Sequence, residues 1–339
     1  MKLSVLDQSP IPAGSTAAQA LHNTIDLAKF TEALGYERYW IAEHHATASL
    51  ASPAPEIMIE RVAAETSRIR VGSGAVLLPH YSPMKVVETF RVLHALHPGR
   101  IDLGLGRAPG GRRLDAYALQ RDRKVESDGD DFGHQLLELL KFMSKSFPET
   151  HPFSQIAISP DMPGAPEVWL LGSSGWSADA AAHLSLPYAA AHFINPQTTR
   201  AALDHYRENF QPSEEMPEPK AVVAVSAICA DTVEEADFLA SSQRLRRLLR
   251  DTGESGPIPP PEEASRRLAE MVQPLTTERS EWPRMILGDV RAVQGQLEDM
   301  SSGLGVEEFM LVTVVHSHEA RKHSYELLAK AFDLSASST

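Results

Sequence analysis

"IRVGSGAVLLPHYSPMKVVETFRVLHALHPGRIDLGLG", residues 69–106, holds a complete structural unit. An apolar run of strand length (69–78) leads into a helical pattern at 83–97, and a second strand-like run follows at 100–106. Two strands joined through a helix lie parallel in one sheet. The same alternation extends in both directions. Strands are expected at 2–6, 38–42, 167–172, 187–191, 220–230 and 307–315 as well. Helices are expected at 17–34, near 54–67, at 127–146, from about 175, near 197–209, through "TVEEADFLASSQRLRRLL" and at 318–333. Eight strands, most followed by a helix, predict an α/β fold of the closed (β/α)8 TIM-barrel class, with an open doubly wound sheet as the competing arrangement.

The 339 residues are read as a single barrel domain spanning 1–339. Segments 107–126 and 148–166 read as insertions. The stretch 250–285, rich in Pro, Gly and charge, falls between the seventh and eighth strands and reads as a lid over the barrel mouth. The formal charge of −13 is spread along the chain, which argues against nucleic-acid binding. The short basic cluster "QRLRRLLR" reads as a solvated face. No run approaches the roughly 18 apolar residues of a spanning helix, so no membrane is expected. The N-terminus lacks a signal-peptide pattern, and the single cysteine, Cys229, suits a reducing compartment. A cytoplasmic location is expected.

Catalytic side chains of a barrel sit at the C-terminal ends of its strands. "WIAEHH" places Glu43, His44 and His45 just beyond the second strand. Successive residues of an extended chain point in opposite directions, so one histidine is expected to face the mouth. Adjacent histidines make a poor metal site, and no metal is expected. Two glycines within "GSGAVLL" mark either a kink or the close approach of a flat ligand. "DLGLGRAPGG" has the wrong spacing for a dinucleotide fingerprint, but it leaves the cation Arg107 at the mouth. In "WLLGSSGWSADAAAH" a strand ends at Gly172 and a helix starts near Gly175. Ser173, Ser174 and Ser177 are then either part of a phosphate cradle or ordinary helix caps.

Taken in order, LSVLDQSPIP (3–12), GYERYWIAEHH (35–45), IRVGSGAVLLPHYSPM (69–84), HPGRIDLGLGR (97–107) and 169–177 resemble the bacterial luciferase-like flavin monooxygenases. The single-subunit, group 1 luciferase-family oxidoreductases are the nearest match, and the resemblance covers nearly the whole chain. It implies an FMNH2-dependent, O2-using monooxygenase that works through a flavin hydroperoxide and receives reduced flavin from a separate reductase. It implies His44 as the catalytic residue, Gly74–Ala75 as a non-proline cis peptide supporting the flavin ring, and Arg107, Ser173, Ser174 and Ser177 around the FMN phosphate. Gly106 stands where luciferases proper carry a cysteine near the flavin, so light emission is not expected. The resemblance also implies a homodimer built on the helices after the second and third strands.

His44 is expected to hydrogen-bond or protonate the oxygen species, as a side chain titrating near neutrality would. Trp40, His80, Tyr81, Trp176 and Phe193 suggest a small organic substrate that is apolar and as large as a polycycle. Hydroxylation, epoxidation and Baeyer–Villiger insertion all stay open. So do a deazaflavin-dependent hydride transfer on the same barrel, a non-catalytic flavin-binding protein, and a hydrolase using Glu43.

Overall fold

The computed structural model describes residues 1–108, 113–120, 131–271 and 280–335. Its strands are β1 (Lys2–Asp7), β2 (Arg38–Ile41), β3 (Arg70–Ser73) continued by β4 (Val76–Leu77), β5 (Ile101–Gly106), β6 (Glu167–Gly172), β7 (Tyr188–Ala191), β8 (Ala221–Cys229), β9 (Met285–Gly288) and β10 (Glu308–Val312). All pair in parallel. The last strand, β10, closes the sheet by pairing with β1, Lys2 opposite Glu308, and with β8, Phe309 opposite Val223. With β3 and β4 as two halves of one strand and β9 set outside the ring, eight strands form a closed barrel, and the open-sheet alternative falls away.

The helices are α1 (Ala17–Leu34), α2 (Pro55–Glu65), α3 (Pro83–Leu96), α4 (Arg113–Leu119), α5 (Phe132–Ser144), α6 (Gly175–His183), α7 (Thr199–Asn209), α8 (Val233–Asp251), α9 (Pro261–Glu270), α10 (Val290–Leu304) and α11 (His318–Ala331). Thr16, Thr232, Asp289 and Ser317 cap α1, α8, α10 and α11 by accepting from backbone N–H groups. The expected helix at 127–146 is described from Phe132 to Ser144, and residues 109–112 and 121–130 of the first insertion lie outside the described residues. Besides α4 and α9, which fall in segments read as an insertion and a lid, two elements were not expected from the sequence. One is β9, which pairs with the outer half of β8, Ser226 opposite Met285. The other is α10, whose Val293, Leu297, Met300 and Leu304 face the core at helical spacing.

The barrel interior is filled by Leu6, Trp40, Ala42, Trp169, Ala189, Val222, Ala224, Met310 and Val312. Trp40 and Trp169 meet edge to face, ring centroids 5.3 Å apart, so the small alanines opposite them complete a close-packed layer. Below that layer, at the N-terminal end of the strands, lies a charged floor. The Asp102 carboxylate, fully buried, accepts from Arg38 Nη1 (2.8 Å), Trp40 Nε1 (2.9 Å) and Arg70 Nε (3.0 Å). Arg38 also donates to Glu308 (3.0 Å), and Lys220 pairs with Glu167 (2.5 Å). A cup of about 520 Å³ lined by Arg38, Arg70, Glu167, Lys220 and Glu308 opens at this end of the barrel, opposite His44.

Asp102, Trp40 and Leu6 together dictate the glycines of the third strand. A Cβ at Gly72 would lie 2.6 Å from the Cβ of Asp102 and 2.9 Å from Trp40 Nε1; one at Gly74 would lie 2.5 Å from Leu6 Cδ1. Of the two readings of "GSGAVLL", the kink is seen, since the strand breaks between Ser73 and Val76, and the groups that crowd its glycines are the protein's own Asp102, Trp40 and Leu6. Between β3 and β4 the ladder to β5 lapses. The Ser73 side chain replaces it, with Oγ donating to Gly104 O (2.8 Å) and accepting from Gly104 N (2.9 Å).

At the opposite rim, buried Asp7 at the end of β1 pairs with Arg321 of α11 (2.7 Å) and accepts from Tyr39 Oη (2.5 Å) and Ser9 N (2.7 Å). Burial alone would raise the Asp7 pKa, but the Arg321 charge and these hydrogen bonds outweigh it and hold the carboxyl below its ordinary value. Cys229 is sealed in β8, and burial pushes its thiol up to about 12.

Two substitutions test this packing. Gly72→Ala should cost about 1–3 kcal/mol by overpacking against Asp102 and Trp40. Asp102→Ala should cost about 3–5 kcal/mol, because it removes the buried acceptor shared by Arg38, Trp40 and Arg70. Urea denaturation of each variant against wild type measures both. Wild-type stability in either would contradict the account of the floor.

Candidate active site

Beyond β2 the chain runs across the mouth, and its first three polar residues take separate tasks. Glu43, buried, accepts from Leu77 N (3.0 Å) and from Tyr81 Oη (2.9 Å), and lies 2.6 Å from His45 Nε2. It ties the end of β2 to β4 and holds His45, whose ring meets His80 edge to face. Both carboxylate oxygens are therefore engaged in structural bonds, which removes the hydrolase alternative built on Glu43.

His44 is left for the mouth. Its backbone N–H is held by Ser52 O (3.0 Å), and its ring is half-buried. Its Nδ1 is sealed from solvent and has no hydrogen-bond partner. Burial, followed by the positive charges of Arg246, His45 and Arg250, pushes its pKa down to about 4. This corrects the expectation of a group titrating near neutrality: in the free protein His44 is a neutral imidazole.

Next along the rim comes the break in the third strand. The Gly74–Ala75 peptide is cis, as the resemblance implied. Gly106, at the end of β5, faces it so closely that a Cβ there would lie 3.1 Å from the Ala75 Cβ. Gly74, Ala75 and Gly106 thus form a patch of nearly bare backbone beside His44's strand.

The following strand end supplies polar groups. β6 stops at Gly172, Ser174 occupies the N-cap of α6 in an extended conformation (φ −133°, ψ 162°), and its side chain makes no capping bond. Of the two readings of these serines, side-chain capping by Ser174 is therefore not used. The Arg107 guanidinium lies over the Trp176 ring, 5.0 Å from its centroid, which brings the end of β5 against the start of α6. Ser173 is fixed through its carbonyl, which accepts from Thr198 Oγ1 (2.8 Å). Ser177 is different. It is turned inward and donates to Ser174 O (3.0 Å), and it packs so tightly on Gly172 that a Cβ there would lie 2.0 Å from its Oγ. Its hydroxyl shapes the turn rather than facing the mouth.

His44, the glycine patch and the Arg107–α6 corner therefore occupy the adjoining ends of β2, β3–β4, β5 and β6. Of the side chains read as substrate-lining, Phe193 packs at the upper edge of the interior cluster, Tyr81 binds Glu43, and Trp176 lies under Arg107. Trp40 belongs to the interior layer above the floor, fully buried and bonded to Asp102.

One helix crossing the mouth was misread. In α8 the residues Ser242, Arg246 and Arg250 recur every fourth position and so share one face. Gln243 anchors the helix by donating to Ser226 Oγ (3.2 Å) above the interior of β8. Arg246 is half-buried, and burial, with the neighbouring Arg250 charge, lowers its pKa to about 10. It belongs to the environment of His44, not to a solvated face. The spacing in "SSQRLRRLLR" carried that signal, but only the position of α8 over the barrel makes it readable. Further on, Ile258 is fully buried against the interior cluster, and its backbone bonds to Ile11 and Ala13 (2.7 and 2.8 Å). Among the described residues no cluster of His, Cys, Asp and Glu could hold a metal ion, and no helix is long and apolar enough to cross a membrane.

A family model described as luciferase-like monooxygenase matches residues 1–305. The chain is 38% identical over 327 residues to a luciferase-like monooxygenase of Escherichia coli (strain K12), covering 96% of this chain and 95% of that one. It is 35% identical over 336 residues to the N-acetyl-S-alkylcysteine monooxygenase of Bacillus subtilis (strain 168), covering 98% of each. The crystal structure of apo-MsnO8 matches with a TM-score of 0.92 at 45% identity, over 98% of this chain and 99% of that one. Likeness of this extent, on a barrel of the same closed form, makes the chain a member of the luciferase-like monooxygenase family.

Proposed function

We propose that the protein is an FMNH2-dependent monooxygenase that uses O2 to oxygenate a small organic molecule, with reduced flavin supplied by a separate reductase. The observation that carries this reading is the rim itself. A bare backbone patch at Gly74, Ala75 and Gly106 lies between a sealed, partnerless imidazole nitrogen at His44 and a cationic corner at Arg107 and the α6 N-terminus. A planar ring with a phosphate tail fits that order of groups. Bound reduced FMN would supply the electrons that activate O2.

The chain's own residues would do the rest. Gly74, Ala75 and Gly106 offer flat backbone to the ring. Arg107 and the backbone N–H groups at the start of α6 hold the phosphate, with the Ser173 and Ser174 hydroxyls beside them. Gly172 and Ser177 shape that turn. His44, neutral and desolvated, offers a hydrogen bond at the reacting side, and Glu43 and His45 fix the segment that presents it. A site of this kind must exclude water. We read 250–285 as the cover that does so, anchored at Ile258; its residues 272–279 lie outside the described residues. The absence of a nicotinamide fingerprint supports an external source of reducing equivalents. The exposed Ile57 on α2 and Val92 and Leu96 on α3 support a homodimer through those helices. A cytoplasmic location agrees with the buried thiol of Cys229.

Two outcomes follow. Arg107→Ala should weaken reduced FMN binding by about 10- to 100-fold, as expected for loss of a charge-assisted contact, and leave reduced riboflavin unaffected. Anaerobic fluorescence titration reads both, and an equal effect on the two flavins would contradict the phosphate assignment. The second concerns pH. The folded pKa of His44 lies below its ordinary 6.5, so its contribution to stability is complete above that value and is lost as pH falls toward about 4. Between about pH 7 and 4.5 the wild-type protein should therefore lose stability more steeply than His44→Gln. Parallel denaturation curves would contradict the assignment of a buried neutral imidazole.

A further inference from the structure

Around His44 the charges are unbalanced. Arg246, His45 and Arg250 are the groups whose charge acts on it; of the carboxylates nearby, Glu43 is engaged by Leu77, Tyr81 and His45, and Glu56 lies on the far side of that cluster, acting on Glu43, His45 and Tyr81. Among the described residues Arg246 has no hydrogen-bond or ion-pair partner. The charge that most affects it is the like charge of Arg250 one turn further along α8. Arg250 itself reaches Asp251 at 3.3 Å on the exposed side of the helix. A half-buried guanidinium with no acid beside it is costly, since burial penalises a charge unless it is paired.

Its orientation is not accidental. The bond between Gln243 and Ser226 sets the rotation of α8 over the inward-facing top of β8, and Arg246 follows on nearly the same face. Ser242, one turn before it, is also buried, with a hydroxyl that has no partner. Nor does the flavin reading account for this cation. The proposed phosphate corner lies at β5, β6 and α6, whereas α8 packs on β8 and β9.

We propose that the substrate carries an anionic oxyacid group, a carboxylate in the simplest case, which binds to Arg246, with Arg250 beyond it, next to His44. This rests on the reading of His44 as the oxygenating side of the site. The apolar body of the substrate then lies toward Phe193 and the interior cluster, and the charged end is held under α8. A guanidinium suits this task because its planar donors match the two oxygens of a carboxylate. An anion there would also offset the positive charges that add to burial in holding His44 unprotonated, so an anionic substrate raises the His44 pKa.

The test uses 4-phenylbutyrate and its uncharged amide, 4-phenylbutyramide, as probes of the full-length protein by calorimetry, with oxidised FMN and riboflavin titrated in parallel. The acid should bind wild type about 10- to 100-fold more tightly than the amide. Arg246→Gln should abolish that preference, and Arg246→Lys should retain part of it. NMR titration of the His44 ring should show its pKa rising in Arg246→Gln and in wild type with the acid bound. Equal affinities, no binding of the acid, or a preference that survives in Arg246→Gln would each overturn the proposal. A loss of the FMN-over-riboflavin preference in Arg246→Gln would also overturn it, by assigning the cation to the flavin phosphate. A wild-type protein that prefers the acid yet binds no FMN would instead overturn the proposed function.

Discussion

The Asp102 carboxylate, buried in the floor of the barrel, is the interaction on which the other end of the molecule depends. It joins three neighbouring strands by accepting from Arg38 and Trp40 of β2 and Arg70 of β3. Asp102 and the Trp40 indole bonded to it leave no room for a side chain at Gly72 in β3, and Leu6 leaves none at Gly74 just beyond it. A strand with two glycines and a ladder maintained by a serine hydroxyl does not run evenly to its end. It breaks after Ser73 and resumes at Val76, and the break falls beside Gly106 at the mouth. The bare backbone there is the upper consequence of a packing decision made at the bottom.

The mouth has the opposite electrostatic character. The floor pairs its charges closely, Arg38 with Asp102 and Glu308, and Lys220 with Glu167. The rim leaves the His44 Nδ1, the Ser242 hydroxyl and the Arg246 guanidinium without partners among the described residues. Unsatisfied polar groups occur elsewhere too, His94 Nδ1 beside the floor among them, so what sets the rim apart is a half-buried cation without an acid, a group expected where another molecule supplies the counter-charge. Stability and reactivity are thus divided between the two ends, as the barrel architecture favours.

Much of this was legible in the sequence because it depends on periodicity. The eight barrel strands, the end of β2 as the place where His44 emerges, and the strand–turn–helix at 169–183 follow from local pattern alone. What was not legible depends on which residues meet across the barrel. Gly72 and Gly74 read equally as a kink or a ligand contact until Asp102, Trp40 and Leu6 are seen against them. Trp40 itself read as a pocket residue because its anchor, Asp102, is sixty-two positions away. Ser177 read with its neighbours, yet its hydroxyl is spent on the Ser174 carbonyl. Arg246 read as solvated because amphipathic spacing marks a helical face without saying what that face covers. The neutrality of His44 belongs to the same class, since burial and the charge of Arg246 both come from distant parts of the chain.

The central claim is that the rim holds reduced flavin for reaction with O2. Its most direct test is to saturate the protein anaerobically with FMNH2 and mix it with oxygenated buffer in a stopped-flow spectrometer. The account predicts tight binding, followed by a long-lived species absorbing in the near-ultraviolet and distinct from oxidised FMN. Immediate appearance of oxidised FMN, or no binding of FMNH2 by a protein that takes up a reduced deazaflavin, would contradict it.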